Sequence, residues 1–192
     1  MDRVILVNRD NPIPPGYRAS IEIVNVKVEE GFSVALEREA AERYLQMRRH
    51  LLSIGIHVEV VSGYRHQETQ RRIWNESVAA HGEEHTRRYV AMQGYSEHQT
   101  GLALDLTLYD ARGDMVEDDD VEAYARLLHH YHEFGFILRY PAGKEDVTGY
   151  RFEPWHIRYV GDEAAREIYA SGLTLEEYVS RMREKTLTAG SS

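Results

Sequence analysis

Between residues 102 and 108 the chain alternates without a break. Leu102, Leu104, Leu106 and Leu108 fall on one side, and Ala103, Asp105 and Thr107 on the other. A period of two belongs to a β-strand, so four leucines must face a core while a carboxylate faces away from it. This predicts a half-buried strand, and the rest of the chain has to supply the layer that its leucines meet. Helical spacing of Ala41, Tyr44, Leu45 and Leu51 predicts a helix over Leu36–Leu52. Further helices are expected over Gln67–Ala80, Glu83–Met92, Val121–Phe134 and Asp162–Ala170. Thr174-Leu175-Glu176-Glu177 has the form of a capping box and should open a last helix reaching about Lys185. Strands are expected over Ile56–Val61, Phe136–Tyr140 and Gly149–Val160, with Ile21–Val28 a short strand or arm. Strands and helices do not alternate regularly. The expected class is therefore α+β, a central antiparallel sheet with helices packed on it.

A chain of 192 residues makes one domain of ordinary size, 1–192. Residues 1–35 are expected as an N-terminal arm and 187–192 as a flexible tail. With 23 Lys+Arg against 32 Asp+Glu the net charge is −9, which disfavours a general nucleic-acid binder and a polybasic membrane-surface protein. There is no cysteine, so disulfides, thiolate metal sites and cysteine nucleophiles are excluded, and a metal must be held by His and carboxylates. No stretch approaches the ~20 apolar residues of a membrane span. The apolar run Val4–Val7 is also too short for a signal peptide. The chain as given is expected to be cytoplasmic, although a trimmed ectodomain would look the same.

Chemistry is concentrated in three stretches. In Ser96-Glu97-His98-Gln99-Thr100-Gly101-Leu102-Ala103-Leu104-Asp105, His98 precedes the strand that carries Asp105. An imidazole and a carboxylate suit a borderline dication, although a surface histidine and a strand-edge aspartate would have the same spacing. In Glu153-Pro154-Trp155-His156, a second imidazole falls in extended chain three residues after a carboxylate. A catalytic zinc takes three protein ligands, an open water position and a nearby carboxylate to accept the water's proton. His98, Asp105 and His156 supply the ligands and Glu153 supplies the base. In Ser62-Gly63-Tyr64-Arg65, a strand ends and a helix begins, and Arg65 at that junction could face a developing oxyanion or form an ordinary salt bridge. The eight other histidines are assigned no ligand role, those of His129-His130-x-His132 because they do not share a helical face. Glu117–Asp120 is read as a solvated run favouring the helix that follows, with contact to a substrate ammonium as a secondary role.

These motifs, in this order, resemble the Van-type D-alanyl-D-alanine metallopeptidases, in the wider group with lysostaphin-type enzymes and hedgehog proteins. The resemblance is carried by Ser62-Gly63-Tyr64-Arg65 with Gln70, by Ser96-x-His98-x-x-Gly101-x-Ala103-x-Asp105, and by Gly135-Phe136-Ile137-Leu138-Arg139-Tyr140-Pro141. Thr148-Gly149, Glu153-Pro154-Trp155-His156 and Arg158-Tyr159-Val160-Gly161 complete it. It implies a zinc cleft at the sheet, with His98, Asp105 and His156 as ligands, Glu153 as base and Arg65 at the oxyanion. It implies substrate-holding roles for Ser96 and Gln70, Ser96 at the terminal carboxylate. The implied activity is release of C-terminal D-alanine from peptidoglycan precursors ending in D-Ala-D-Ala, and cleavage of D-Ala-D-Ala itself. Within the group, the length and the missing leader look most like the cytoplasmic VanXY type rather than the anchored VanY type. The alternatives are an L,D-carboxypeptidase, a dipeptidase-only relative, or a zinc-binding module without catalysis. The role itself, glycopeptide resistance or routine wall turnover, is left open.

Overall fold

The computed structural model describes residues 2–117 and 120–189. Two antiparallel sheets form. The smaller is a hairpin of β1 (Ile23–Glu29) and β2 (Phe32–Glu37). The larger contains β3 (His57–Ser62), β4 (Ala103–Tyr109), β5 (Phe136–Leu138) and β6 (His156–Tyr159), in the order β3-β4-β6-β5. Every pairing within it is antiparallel. This is the expected α+β architecture, with the 102–108 strand at its centre.

The leucine face of β4 meets helix α1 (Arg38–Ser53). Ala40, Ala41, Tyr44, Met47 and Leu51 recur every three or four residues, forming one apolar stripe on α1. That stripe packs on Leu104, Leu106 and Leu108 of β4, Val58 and Val60 of β3, and Phe136, Ile157 and Tyr159 of β5 and β6. Full burial of one such leucine contributes about 1.5–3 kcal/mol. On the opposite face, Ile137 joins a second apolar cluster with Val160, α6 (Asp162–Ser171) and α7 (Leu175–Ala189). These elements cover the β5 end of that face and leave the row containing Asp105 and His156 beside a cleft.

Several expectations change. Leu36 lies in β2, and the first helix begins at Arg38 because the Glu37 carboxylate caps it, accepting from the amides of Glu39 (2.9 Å) and Ala40 (3.2 Å). The segment before residue 36 is packed into the fold. It contributes the hairpin, a buried Val7, and the carbonyls of Arg3 and Ile5, which accept from Arg158 at 3.1 and 2.8 Å. Ala103 and Thr107 are buried as well, so from Ala103 to Thr107 the second face of β4 is covered except at Asp105, beside the cleft. The helix expected over Val121–Phe134 stops at Leu128 as α4 (Val121–Leu128) and resumes as a tighter turn over Tyr131–Phe134. That turn tucks Tyr131 inward, where its hydroxyl donates to the Pro154 carbonyl at 3.0 Å. The long strand expected over Gly149–Val160 shrinks to β6, since Glu153 and Pro154 leave the sheet plane in a turn.

The remaining helices are α2 (Gln67–His81), α3 (Glu83–Tyr89) and α5 (Glu145–Thr148). The capping box is present, Thr174 N donating to Glu177 Oε2 at 2.7 Å and Glu177 N to Thr174 Oγ1 at 3.2 Å. The last helix runs through Leu187 to Ala189, residues expected in the tail. The rest of that tail, 190–192, and Asp118 and Asp119 of the acidic run lie outside the described residues.

Candidate active site

Strand register brings the first two site residues together. Asp105 of β4 lies directly opposite His156 of β6, so both side chains rise from the same face. On its other side Asp105 pairs with Ser62, the last residue of β3. Asp105 Oδ1 is 3.0 Å from His156 Nδ1, and Asp105 Oδ2 is 3.3 Å from His98 Nε2. The His98, Asp105 and His156 ligand atoms all lie within 4.8 Å of one another.

His98 comes from the Glu97–Thr100 turn, and two glycines set its position. Gly101 closes that turn in the left-handed region (φ 75°), and a Cβ there would stand 2.9 Å from Ile23 Cδ1 and 3.0 Å from Glu37 N. Gly63 presses on β2 so closely that a Cβ would lie 2.4 Å from the Ala35 carbonyl oxygen. The Gly63 carbonyl accepts from His98 Nδ1 at 2.8 Å. That bond fixes the tautomer. A neutral His98 then carries its proton on Nδ1 and aims the Nε2 lone pair at Asp105. Burial lowers the pKa of His98, against the pull of Asp105. Lone pairs of Nε2 and Oδ2 facing each other at 3.3 Å call for a cation between them. Two imidazole nitrogens and a carboxylate oxygen are the donor set of a zinc-type ion. The residues present therefore fit a dication.

Burial would raise the pKa of Asp105, but His98 and His156 hold it well below the usual carboxylate range. For His156 burial pulls the other way, and the Asp105 and Glu97 carboxylates overcome it and push the ring up to about 9. Glu153 stands at the cleft edge, its Oε2 3.6 Å from His156 Nδ1. Burial raises the Glu153 pKa above the ordinary carboxylate value. Arg65 Nη2 donates to Asp105 Oδ2 at 3.0 Å and to Ser62 Oγ at 2.8 Å. Burial lowers its pKa, while Asp105 and Glu153 hold its charge.

A cleft of about 310 Å³ opens onto this cluster. Arg65, Glu153, Ser96 and Gln70 line it, together with Tyr140 and Trp155. All seven residues singled out in the sequence thus gather at one place. Gln70 is partly committed, since its Nε2 donates to the Ala91 carbonyl at 2.7 Å, while its buried Oε1 has no partner among the described residues.

The group behind His156 was not expected from the sequence. Glu97 Oε1 accepts from Arg139 Nε at 2.8 Å and from Arg158 Nη1 at 2.7 Å, and all three side chains are essentially inaccessible. Glu97 Oε2 sits 3.8 Å from His156 Nε2, beyond hydrogen-bond length, and neither atom has a hydrogen-bond partner among the described residues. Arg139 also grips Glu176 of α7, tying this network to the second core. A signal for it existed in the sequence. Arg158 lies between Ile157 and Tyr159 in a short apolar strand, and a cation buried there needs a carboxylate.

The chain matches the family model VanY: D-alanyl-D-alanine carboxypeptidase over residues 33–162. It is 38% identical to a D-alanyl-D-alanine carboxypeptidase of Enterococcus faecalis over 92% of this chain, spanning 65% of that protein's length. It is 34% identical to the bifunctional D-Ala-D-Ala dipeptidase and D-Ala-D-Ala carboxypeptidase VanXYC of Enterococcus gallinarum, covering 93% of this chain and 94% of that one. Among solved structures, an E→A variant of the D,D-pentapeptidase VanY from a VanB-type resistance cassette, in complex with Zn(II), superposes with a TM-score of 0.80 at 36% identity. That match covers 93% of this chain and 99% of the other. The LdcB LD-carboxypeptidase reaches the same TM-score at 36% identity, over 91% of this chain and 84% of its own. By the extent of the family match and by these identities, the chain belongs to the VanY family of D-alanyl-D-alanine carboxypeptidases.

Proposed function

We propose that the chain is a zinc-dependent peptidase that removes the terminal D-alanine from peptidoglycan precursors ending in D-Ala-D-Ala and also cleaves the free dipeptide. The observation that carries this is the convergence of His98, Asp105 and His156 within 4.8 Å, with Glu153 3.6 Å from His156 in an open cleft. The zinc-bound VanY relative and the bifunctional VanXYC relative support the metal and the two substrates. His98, Asp105 and His156 hold the metal. When bound, zinc supplies a Lewis acid that lowers the pKa of water from about 15.7 to about 7.

The rest falls to the protein. Glu153, whose pKa burial raises, accepts a proton from the attacking water and returns it to the departing amine. Arg65, its guanidinium anchored on Ser62 and Asp105, presents positive charge to the oxyanion that forms at the scissile carbonyl. Ser96 and the free Oε1 of Gln70 hold substrate, Ser96 at its terminal carboxylate. At a net charge of −9 the protein does not draw an anionic peptide from afar, so these local groups carry recognition. Residues 1–192 act as one domain in this reading. A cytoplasmic place, implied by the likeness to the VanXY type, belongs to the same proposal. Among the described residues, no helix is long and apolar enough to cross a membrane.

The test is release of D-alanine from D-Ala-D-Ala, from a pentapeptide ending in D-Ala-D-Ala, and from a tetrapeptide ending in an L-residue and D-Ala, with and without chelator. Cleavage of the first two, lost with chelator, is expected. Cleavage of the tetrapeptide alone would move the enzyme to L,D-specificity, and no cleavage of any in the presence of zinc would overturn the proposal.

A further inference from the structure

A second group of imidazoles and a carboxylate lies outside the cleft. His50 comes from the last turn of α1, and His130 and Glu133 from the turn that follows α4. Their ligand atoms lie within 4.8 Å of one another. His130 Nδ1 is 3.3 Å and His50 Nε2 is 4.0 Å from Glu133 Oε2. None of the three lines the catalytic cleft.

The cluster follows from the break in the expected helix. In a 3-10 turn residues i and i+3 eclipse one another, which puts His130 and Glu133 one above the other. Its neighbours point elsewhere. His129 Nδ1 lies 3.1 Å from the Tyr169 hydroxyl, and the His132 ring stacks on Tyr169 with centroids 3.7 Å apart. Of the three clustered histidines only His130 faces α1. There the Phe134 ring packs on His50 with centroids 5.4 Å apart.

We propose that His50, His130 and Glu133 form a second zinc site, distinct from the catalytic one, that pins the end of α1 to the turn over Tyr131–Phe134. Zinc holds imidazole and carboxylate at about 2.0–2.1 Å, which sets tetrahedral ligand atoms about 3.3 Å apart. The His130–Glu133 separation matches that spacing, and His50 closes it with a small side-chain movement. The partly exposed side chains leave water the fourth position. The carbonyl end of α1, near His50, favours a cation. Two imidazoles with one carboxylate select zinc over magnesium or calcium, which prefer oxygen ligands.

The experiment is a calorimetric titration of chelator-treated full-length protein with ZnCl2, beside His50→Ala and Glu133→Gln, followed by melting curves at each ratio. The wild-type protein should bind one equivalent more than either variant, and that additional equivalent should raise the melting temperature of the wild type only. Equal stoichiometry in all three proteins overturns the proposal. If His50→Ala proves misfolded, Glu133→Gln makes the same comparison by removing one charge from an exposed position. The difference of one equivalent is independent of whether the catalytic cluster binds metal or hydrolyses peptide, since that cluster is unchanged in every protein compared.

Discussion

Two glutamates stand on opposite sides of His156. Glu153 lies 3.6 Å from Nδ1 at the cleft, and Glu97 lies 3.8 Å from Nε2 on the floor. They have the same functional group and nearly the same distance to one ring, yet their environments drive them apart. Glu97 accepts from two buried guanidiniums, which overcome the penalty of burial and hold its carboxyl well below the usual range. It is therefore a fixed negative charge beside His156 and has no proton to exchange. Glu153 has no arginine within ion-pair distance among the described residues, so burial wins and its pKa rises. Partners, rather than proximity to His156, decide which carboxylate keeps an exchangeable proton.

The widest separation between the two should appear in catalysis. Glu153→Ala is expected to lower the rate of D-alanine release by about 10²–10⁴-fold while leaving zinc content and melting temperature near those of the wild type. Full activity in that variant would remove Glu153 from the chemistry. Glu97→Ala should instead fail in the fold. It leaves Arg139 and Arg158 buried without their shared partner, and breaking a buried ion pair in this way costs about 3–5 kcal/mol, readable in urea denaturation. A Glu97→Ala protein as stable as the wild type would show that Glu176 and the carbonyls of Arg3 and Ile5 satisfy the two guanidiniums alone.

The two carboxylates should also give opposite pH dependences in chelator-treated protein. The folded pKa of Glu97 lies below its ordinary 4.5, so its stabilisation is complete above that value and is lost as pH falls through 4.5 and below. The folded pKa of Glu153 lies above the same 4.5, so its neutral form favours the fold below that value, and the advantage is lost as pH rises through the raised pKa. Urea unfolding across this range should show Glu153→Gln gaining on the wild type as pH rises from 4 toward neutrality, with a limiting slope of about 1.4 kcal/mol per pH unit. A variant that tracks the wild type at every pH would place Glu153 in solvent.

The contrast between the two glutamates also marks where local sequence pattern stops being informative. That His98, Asp105, His156, Glu153 and Arg65 could share one site was legible because each sits in or beside a local pattern, a strand alternation or a turn, although each pattern taken alone has ordinary uses. For Asp105 the leucine alternation fixed the face it occupies before any partner was known. Glu97 stood in the same motif as His98, but its role depends on Arg139 and Arg158, 42 and 61 residues away. No local periodicity encodes that meeting. It arises from the β5–β6–β4 register. The same limit explains β2, where Leu36 and Glu37 also fit a helical stripe until the hairpin and the Glu37 cap decided the boundary. The tighter turn over Tyr131–Phe134 was hidden because the apolar spacing of Tyr124, Leu127 and Tyr131 suits a continuous helix. The Van-type resemblance placed the site residues in order along the chain. The register explains why that order closes on one cleft.

The smallest predicted effect tests whether pairing with arginine, rather than pairing while buried, is what makes Glu97 structural. On α2, Glu76 pairs with Arg72 one turn earlier at 3.0 Å, and both side chains are more than 60% exposed. Water already solvates both charges there, so the pair recovers little by meeting, and ordering two long side chains offsets part of the gain. Glu76→Gln should cost no more than about 0.5 kcal/mol, and added salt should reduce even that. The Glu97 network, shielded from ions, should keep its contribution at the same salt concentration. If Glu76→Gln were as costly as Glu97→Ala, an arginine partner alone would define the structural carboxylate. If the two costs differ as burial requires, the inaccessible floor behind His156 is what converts an ordinary ion pair into a structural support.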